Sequence, residues 1–236
     1  MKLQYLADAR DAFKWDLLQW VCTRSSPTFS SLFFVPLLTP PKKENEGRIP
    51  HHRFACREVI RPFVDSLKTE PRALERISTL GTAEPTRSFQ VSVFAPERFI
   101  RAGVSRVDYW EGFDSGKLVN SVVFFDPDIG FETKTGNGPN WIRHSELKGF
   151  FARLPKTSVA VVYQHRPRRK WEEVFTELEQ KIDYAHSATI AFEPNLAFVA
   201  LSGNQATGQR VAAAITKYAE EHSIVRCHQL RRPDFP

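Results

Sequence analysis

The stretch Ser121-Val-Val-Phe-Phe-Asp-Pro-Asp128 decides the fold class of this 236-residue chain. Its apolar part, 122–125, is uninterrupted, whereas a strand with one solvent-facing side alternates apolar and polar residues. Such a run is typical of a strand that is buried on both faces of a sheet. The run stops at two acidic residues that flank a proline, which indicates a turn at the carboxyl end of the strand.

Similar apolar runs occur before and after this strand. Residues 32–38 and 158–164 predict further buried strands, and 189–202 predict a late antiparallel hairpin. Strands that alternate with helices favour an α/β fold: a doubly wound, mostly parallel sheet with flanking helices. Because no linker divides the chain, we expect a single α/β domain over 1–236. Helices are predicted over 8–22, 55–68, 72–79, 144–154, 171–182 and 209–222.

The composition is that of an ordered protein with a basic balance. Hydrophobic residues make up 42% and charged residues 25% of the chain. The net charge of +6 and the pI of about 9.3 favour a polyanionic partner such as nucleic acid. A solvated basic face explains the same excess equally well.

Cysteine usage and hydropathy indicate the compartment. Cys22, Cys56 and Cys227 are far apart and odd in number, which favours reduced thiols over a zinc or disulfide site. Charges interrupt the N-terminal residues, and no stretch approaches the roughly 20 apolar residues of a transmembrane helix. We therefore expect a cytoplasmic protein without a membrane-spanning segment.

Polar segments follow three of the predicted strands at the point where each strand ends. These segments are 39–52, 126–132 and 165–170. Open α/β sheets bind ligands outside the carboxyl ends of their strands. The sequence therefore predicts a functional cleft at that edge of the sheet.

The acidic segment provides the first candidates. Asp126, Asp128 and Glu132 place three carboxylates within seven residues. Carboxylates this close resist simultaneous ionisation unless they share a cation or a proton. They suit a general base, an acceptor for a substrate amine, or ligands of Mg²⁺ or Mn²⁺. A local role is equally open, because Asp126 and Asp128 can cap a turn or the next helix.

The basic segment provides the second set of candidates. His165 is a candidate general acid or base. Arg166, Arg168, Arg169 and Lys170 are candidates for contact with nucleic-acid phosphates. The alternative is a solvated basic loop with a structural histidine.

The first predicted helix carries a charged edge. Asp8, Asp11 and Lys14 have spacings that place them on roughly one helix face, and Thr39 opens the polar segment after the first sheet strand. These four residues are candidates for cofactor binding. The alternative is that the charged edge is the solvent face of the helix.

Two segments resemble the adenine-N6 methyltransferases that act on large-subunit ribosomal RNA. Residues 5–18 are similar to the cofactor-side N-terminal helix of those enzymes, where an Asp-x-x-Lys-like stretch precedes a Leu pair. Residues 126–132, Asp-Pro-Asp-Ile-Gly-Phe-Glu, resemble their Asp-Pro-Pro-Tyr-Glu motif. The order of helix, strand, acidic strand end and late hairpin also looks like a Rossmann-type methyltransferase. The DPDxGxE strand end, with a later Tyr-Gln-His, is similar to a bacterial family as well, and that likeness implies no activity.

The resemblance implies S-adenosylmethionine as cofactor and a nucleic-acid base as substrate. By resemblance, Lys14 lies near the cofactor and Asp126 accepts the target amine. The chain departs from the pattern at two places. Asp128 replaces the second Pro of the motif, and Leu38–Gly47, LTPPKKENEG, replaces a glycine-rich turn that lets the cofactor approach the backbone closely.

Three functional hypotheses follow. The first is a methyltransferase of this kind. The second is a metal-dependent nuclease or phosphohydrolase in which Asp126, Asp128 and Glu132 hold Mg²⁺ or Mn²⁺. The third is a non-catalytic subunit that binds nucleic acid or a partner protein and keeps the fold. In either enzyme we expect Asp126→Ala to abolish activity with little effect on the fold.

Overall fold

Seven strands form the main sheet of the protein. The computed structural model describes residues 1–3, 6–7, 9–40, 56–103, 105–166 and 169–230. In chain order its strands are β1 (Ser31–Val35), β2 (Gln90–Val93), β3 (Ser121–Phe125), β4 (Gly130–Phe131), β5 (Trp141–Ile142), β6 (Val159–His165), β7 (Ser187–Phe192), β8 (Leu196–Ser202) and β9 (Arg226–Leu230). The short strands β4 and β5 pair in parallel as a separate two-stranded sheet.

The strand order of the main sheet is β2-β1-β3-β6-β8-β7-β9. β2, β1, β3 and β6 are parallel to one another. β8 is antiparallel to both of its neighbours, so β7 shares the direction of β6, and β9 is antiparallel to β7. The predicted α/β fold with a mostly parallel sheet and a late antiparallel hairpin, β7–β8, is confirmed. β9 is a second strand that opposes the main direction, which the sequence did not predict.

Helices cover both faces of the sheet. On one face lie α1 (Ala9–Arg24), α2 (Arg61–Ser66) and α5 (Gln205–Glu221). On the other face lie α3 (His144–Phe151) and α4 (Trp171–Lys181). None of the helices in the described part of the chain has the length and apolar character needed to cross a membrane.

β3 is buried on both faces, as its unbroken apolar run predicts. All five of its residues are buried. Val122 and Phe124 belong to the core under α1, whereas Val123 and Phe125 belong to the core under α3 and α4. This period-two alternation directs the next side chain, that of Asp126, towards α1.

Two predicted helices are shorter or more tightly wound than expected. The helix predicted over 55–68 is a 3-10 turn at Glu58–Ile60 followed by α2, and that over 72–79 is a 3-10 helix at Leu74–Thr82. Pro62 lies in the first turn of α2 and does not break it. N–H groups of a first turn have no partner within the helix, so proline is tolerated there.

Candidate functional site

The carboxyl ends of β1, β3 and β6 meet at one edge of the sheet. Asp126 N donates to Val35 O at 2.9 Å, and His165 N donates to Ile129 O at 2.7 Å. The backbone therefore ties the segment after β3 to both neighbouring strands. This is the edge at which the sequence predicts the functional cleft.

A buried ion pair lies at the end of β3. Lys14 Nζ is 2.8 Å from Asp126 Oδ2 and 2.6 Å from Asp11 Oδ1. The second oxygen of Asp11 accepts a hydrogen bond from Ala7 N at 2.6 Å. Lys14 is 5% exposed and both carboxylates are 2% exposed. Two residues of α1 and one from the strand end thus form a single charged group, which we call the Lys14 cluster (Asp11, Lys14 and Asp126).

The pKa values of the Lys14 cluster follow from its burial and its charges. Burial by itself lowers the pKa of Lys14, but Asp11 and Asp126 outweigh burial and raise it above its usual range. Burial raises the pKa of Asp126, and the Lys14 ammonium group opposes that rise. Lys14 therefore stays charged at neutral pH, and Asp126 is a stronger base than an exposed aspartate.

A second polar group lies beside the cluster. Asp128 Oδ2 is 3.2 Å from Lys2 Nζ and accepts a hydrogen bond from Thr39 Oγ1 at 3.4 Å. About a tenth of the Asp128 side chain is exposed. Asp128 and Thr39 thus meet at the ends of β3 and β1, as the sequence predicts. Nothing in the sequence pattern pointed to Lys2.

The loop after β1 is closed by the chain itself. Met1 N donates to Leu37 O at 2.9 Å, and Thr39 N donates to Met1 O at 2.8 Å. Leu37 N donates to the hydroxyl of Tyr109 at 3.1 Å. The peptide groups of Leu37 and Thr39 are therefore already hydrogen-bonded within the protein.

His165 is the last residue of β6 and is bonded to the segment that contains Asp128. Burial lowers the pKa of His165, and the charges of Arg10 and Asp128 act on it in opposite directions. Its Nδ1 lies 3.0 Å from Arg166 O. His165 is therefore neutral near pH 7 and lies within electrostatic reach of the acidic strand end.

Glu132 belongs to different surroundings. It follows β4, and its Oε1 accepts a hydrogen bond from His144 N at 2.7 Å. Asp126, Asp128 and Glu132 thus each bind a different partner. In the ranges that the structure describes, no group of three or more His, Cys, Asp or Glu side chains is arranged to hold a metal ion.

The described basic residues after β6 differ in their surroundings. Arg166 is exposed and Lys170 is the exposed residue before α4. The guanidinium of Arg169 pairs with Glu177 of α4. Asp8 and Arg168, with most of the segment 39–52, lie outside the described residues.

Gln164 is a site residue that no pattern in the sequence indicates as functional. Its Oε1 accepts a hydrogen bond from Phe131 N at 3.0 Å, and its Nε2 donates to His165 O at 2.7 Å. Gly130 has a φ of +140°, and a Cβ there would lie 2.3 Å from Gln164 Oε1. The glycine of the DPDxGxE segment therefore fits against the glutamine of the Tyr-Gln-His segment, and the two motifs stabilise one corner.

No protein-family model and no curated protein sequence matches this chain. Its function is therefore inferred from the geometry of the site.

Proposed function

We propose that the protein is an S-adenosylmethionine-dependent methyltransferase that acts on a nucleic-acid base. The observation that carries the proposal is the buried pair of Lys14 and Asp126, 2.8 Å apart at the carboxyl end of β3. It joins the two segments that resemble the methyltransferases, although 112 positions separate them in the chain. The hairpin β7–β8 and the helix that precedes β1 also agree with the order of elements in that fold.

The side chains near β1 and β3 suit this cofactor. S-adenosylmethionine carries a sulfonium, an ammonium group, a carboxylate and ribose hydroxyls. Asp128, Thr39 and Lys2 carry a carboxylate, a hydroxyl and an ammonium group, and cofactor binding would exchange their present contacts with one another for contacts with the ligand. The backbone contributes less, because Leu37 and Thr39 already bond to Met1. These three side chains would therefore hold the cofactor, which supplies an electrophilic methyl group when bound.

Asp126 is the residue that orients the target. Its Oδ2 accepts from Lys14, so Oδ1 is the atom that accepts a hydrogen bond from an exocyclic amine. Lys14 fixes the carboxylate in one orientation and is in turn fixed by Asp11. The raised pKa of Asp126 makes it a suitable acceptor for the proton that the amine loses on methylation.

Basic residues beside the strand ends suit a nucleic-acid substrate. Arg166 and Lys170 are exposed beyond β6, and the net charge of the chain is +6. Arg and Lys at such a surface contact phosphates without reading sequence. Nucleic-acid binding should accordingly weaken as salt concentration rises.

Calorimetry and a transfer assay test the proposal together. S-adenosylmethionine is titrated into the wild type, Asp126→Asn and the control Asp108→Asn, whose side chain is exposed. Transfer of a labelled methyl group to bulk RNA and to DNA is measured with the same proteins. Because Asp126 acts on the amine and not on the cofactor, Asp126→Asn should still bind the cofactor. Its transfer rate should fall about 100-fold or more.

Two results would contradict this function. One is the absence of heat with folded wild-type protein at about 1 mM S-adenosylmethionine. The other is wild-type transfer by Asp126→Asn. The Asp108→Asn control should match the wild type in both assays.

A further inference from the structure

A cavity lies on the face of the sheet that α3 and α4 cover. Its volume is about 530 Å³, and its walls come from β4, β5, the start of α3, and α4. Binding sites for small molecules typically measure about 300–1,000 Å³. Ile129, just before β4, and Gln164, near the end of β6, border it. The cavity therefore opens beside the strand ends but on the other face from the Lys14 cluster.

Aromatic rings form one side of this cavity. The rings of Phe131 and His144 are stacked, with centroids 5.4 Å apart and an interplanar angle of 21°. Trp141 also lines the cavity, and Val174 and Leu178 of α4 complete an apolar surface. Flat rings prefer to stack on or pack against aromatic surfaces of this kind.

The charges that line the cavity cancel. Glu132 and Glu177 are balanced by Arg169 and Lys181. Lys181 Nζ is 2.6 Å from Glu177 Oε1, and the guanidinium of Arg169 pairs with Glu177 Oε2. Burial lowers the pKa of His144, so this histidine adds no charge near pH 7. An anionic ligand would have to compete with Glu177 for both cations, whereas an uncharged ligand would not.

We propose that this cavity binds an uncharged planar heteroaromatic ring, the chemistry of a nucleobase or nucleoside. Trp141 and the Phe131–His144 stack form its aromatic side, and Glu132 accepts a hydrogen bond from the ring. The proposal does not depend on S-adenosylmethionine. It rests on the shape, the aromatic rings and the charge balance of a cavity that lies apart from the Lys14 cluster.

Nucleosides provide the direct test, and Trp141 provides the optical signal. Adenosine, guanosine, cytidine and uridine are titrated into the whole protein by tryptophan fluorescence and by calorimetry. Adenosine 5′-phosphate and inorganic phosphate test for an anion site. A tetranucleotide and its abasic counterpart distinguish a free nucleoside from a base within a nucleic-acid strand. Val174→Phe places a larger side chain in the cavity and reduces its free volume. Glu172→Gln is a control on the same helix, since Glu172 is exposed and does not line the cavity.

At least one nucleoside should quench the fluorescence in a saturable manner. Val174→Phe should weaken its binding about tenfold or more, and Glu172→Gln should leave it unchanged. Trp141→Phe should remove most of the change in fluorescence that the nucleoside causes, while calorimetry still detects binding. Circular dichroism confirms that each variant is folded.

Three results would overturn the proposal. The first is that no nucleoside and no base-containing tetranucleotide binds at about 1 mM. The second is that adenosine 5′-phosphate binds more than tenfold tighter than adenosine and that phosphate alone displaces it. The third is unchanged nucleoside binding by folded Val174→Phe. Binding of the tetranucleotide but not of free nucleosides would support the proposal and assign the ring to a nucleic-acid strand.

Discussion

Lys14 illustrates what a buried charge requires. Its ammonium group lies 2.6 and 2.8 Å from two carboxylates and 5.7 Å from the centroid of the Tyr163 ring. Transfer of an ion from water into a protein interior costs several kcal/mol, which only close partners offset. The two carboxylates of the cluster share one ammonium group, so its loss removes a partner from both of them. The cluster is therefore more sensitive to loss of the cation than to loss of either anion.

Lys14→Met should be more destabilising than Asp126→Asn. The first change removes the ammonium group to which both buried carboxylates bond, at an expected cost of about 3–5 kcal/mol in the free energy of unfolding. The second leaves Lys14 paired with Asp11 and removes one charged hydrogen bond, at a cost of about 1–3 kcal/mol. Urea unfolding at neutral pH measures both.

Lys117→Met is the matched control for this comparison. Lys117 is 83% exposed and faces Asp114 across 3.5 Å, so its loss should leave the urea midpoint unchanged. Equal destabilisation by Lys14→Met and Asp126→Asn would mean that the sharing of one ammonium group by two carboxylates has no energetic effect. From sequence alone we expected removal of Asp126 to leave the fold almost intact; its burial changes that expectation.

Sequence patterns located some site residues and missed others for a physical reason. Asp126 was found because it ends an apolar run, and Asp11 and Lys14 because a helix places positions three apart on one face. Lys2 and Gln164 belong to the site through contacts with residues far away in the chain. No local period marks such residues.

At the scale of elements, two helical glycines have opposite roles. On α3, a Cβ at Gly149 would meet nothing within 4 Å. On α5, a Cβ at Gly208 would lie 1.9 Å from Ser187 Oγ and 3.0 Å from Ser187 Cβ. Gly208 therefore allows α5 to approach β7 closely, whereas Gly149 only costs the helix conformational entropy.

Gly149→Ala should stabilise the protein by about 0.5–1 kcal/mol, because alanine restricts the unfolded chain and fits the helix. Gly208→Ala should destabilise it by about 1–3 kcal/mol through overpacking. Thermal and urea unfolding measure both changes. Ser187→Gly removes the clashing atoms, so Gly208→Ala should cost less in that background. An equal cost with and without Ser187 would show that this contact does not limit the approach of α5.

The central strands were predictable and the edge strands less so. β3 and β6 are uninterrupted apolar runs because both of their faces are buried. β2 and β9 lie at the two edges of the sheet, and their residues are mostly exposed or half-buried. Exposed edge residues carry little information about pairing, which is why the direction of β9 was not predicted.

At the scale of the molecule, three histidines link stability to pH. Burial lowers the pKa of His144, His165 and His222 below the ordinary histidine value. The unfolded chain therefore binds protons near pH 6.5 that the folded chain still excludes. These histidines stabilise the fold above that pH, and their contribution is lost as the pH falls through their folded pKa values. Asp126 and Glu193, whose pKa values burial raises, act in the opposite sense.

A triple histidine variant separates the effect of the histidines on the pH dependence of stability from the effect of these carboxylates. The urea midpoint of each protein is measured at about pH 7.5 and about pH 5.5, on either side of the unfolded histidine pKa. The variant His144→Gln, His165→Gln, His222→Gln should lose less stability than the wild type between these two values, because it has three fewer groups that take up protons on unfolding. An equal decrease of the urea midpoint in both proteins would show that groups other than these histidines determine the loss of stability at acidic pH. Each single variant should account for part of the difference, since the three side chains lie on different elements and their effects should add.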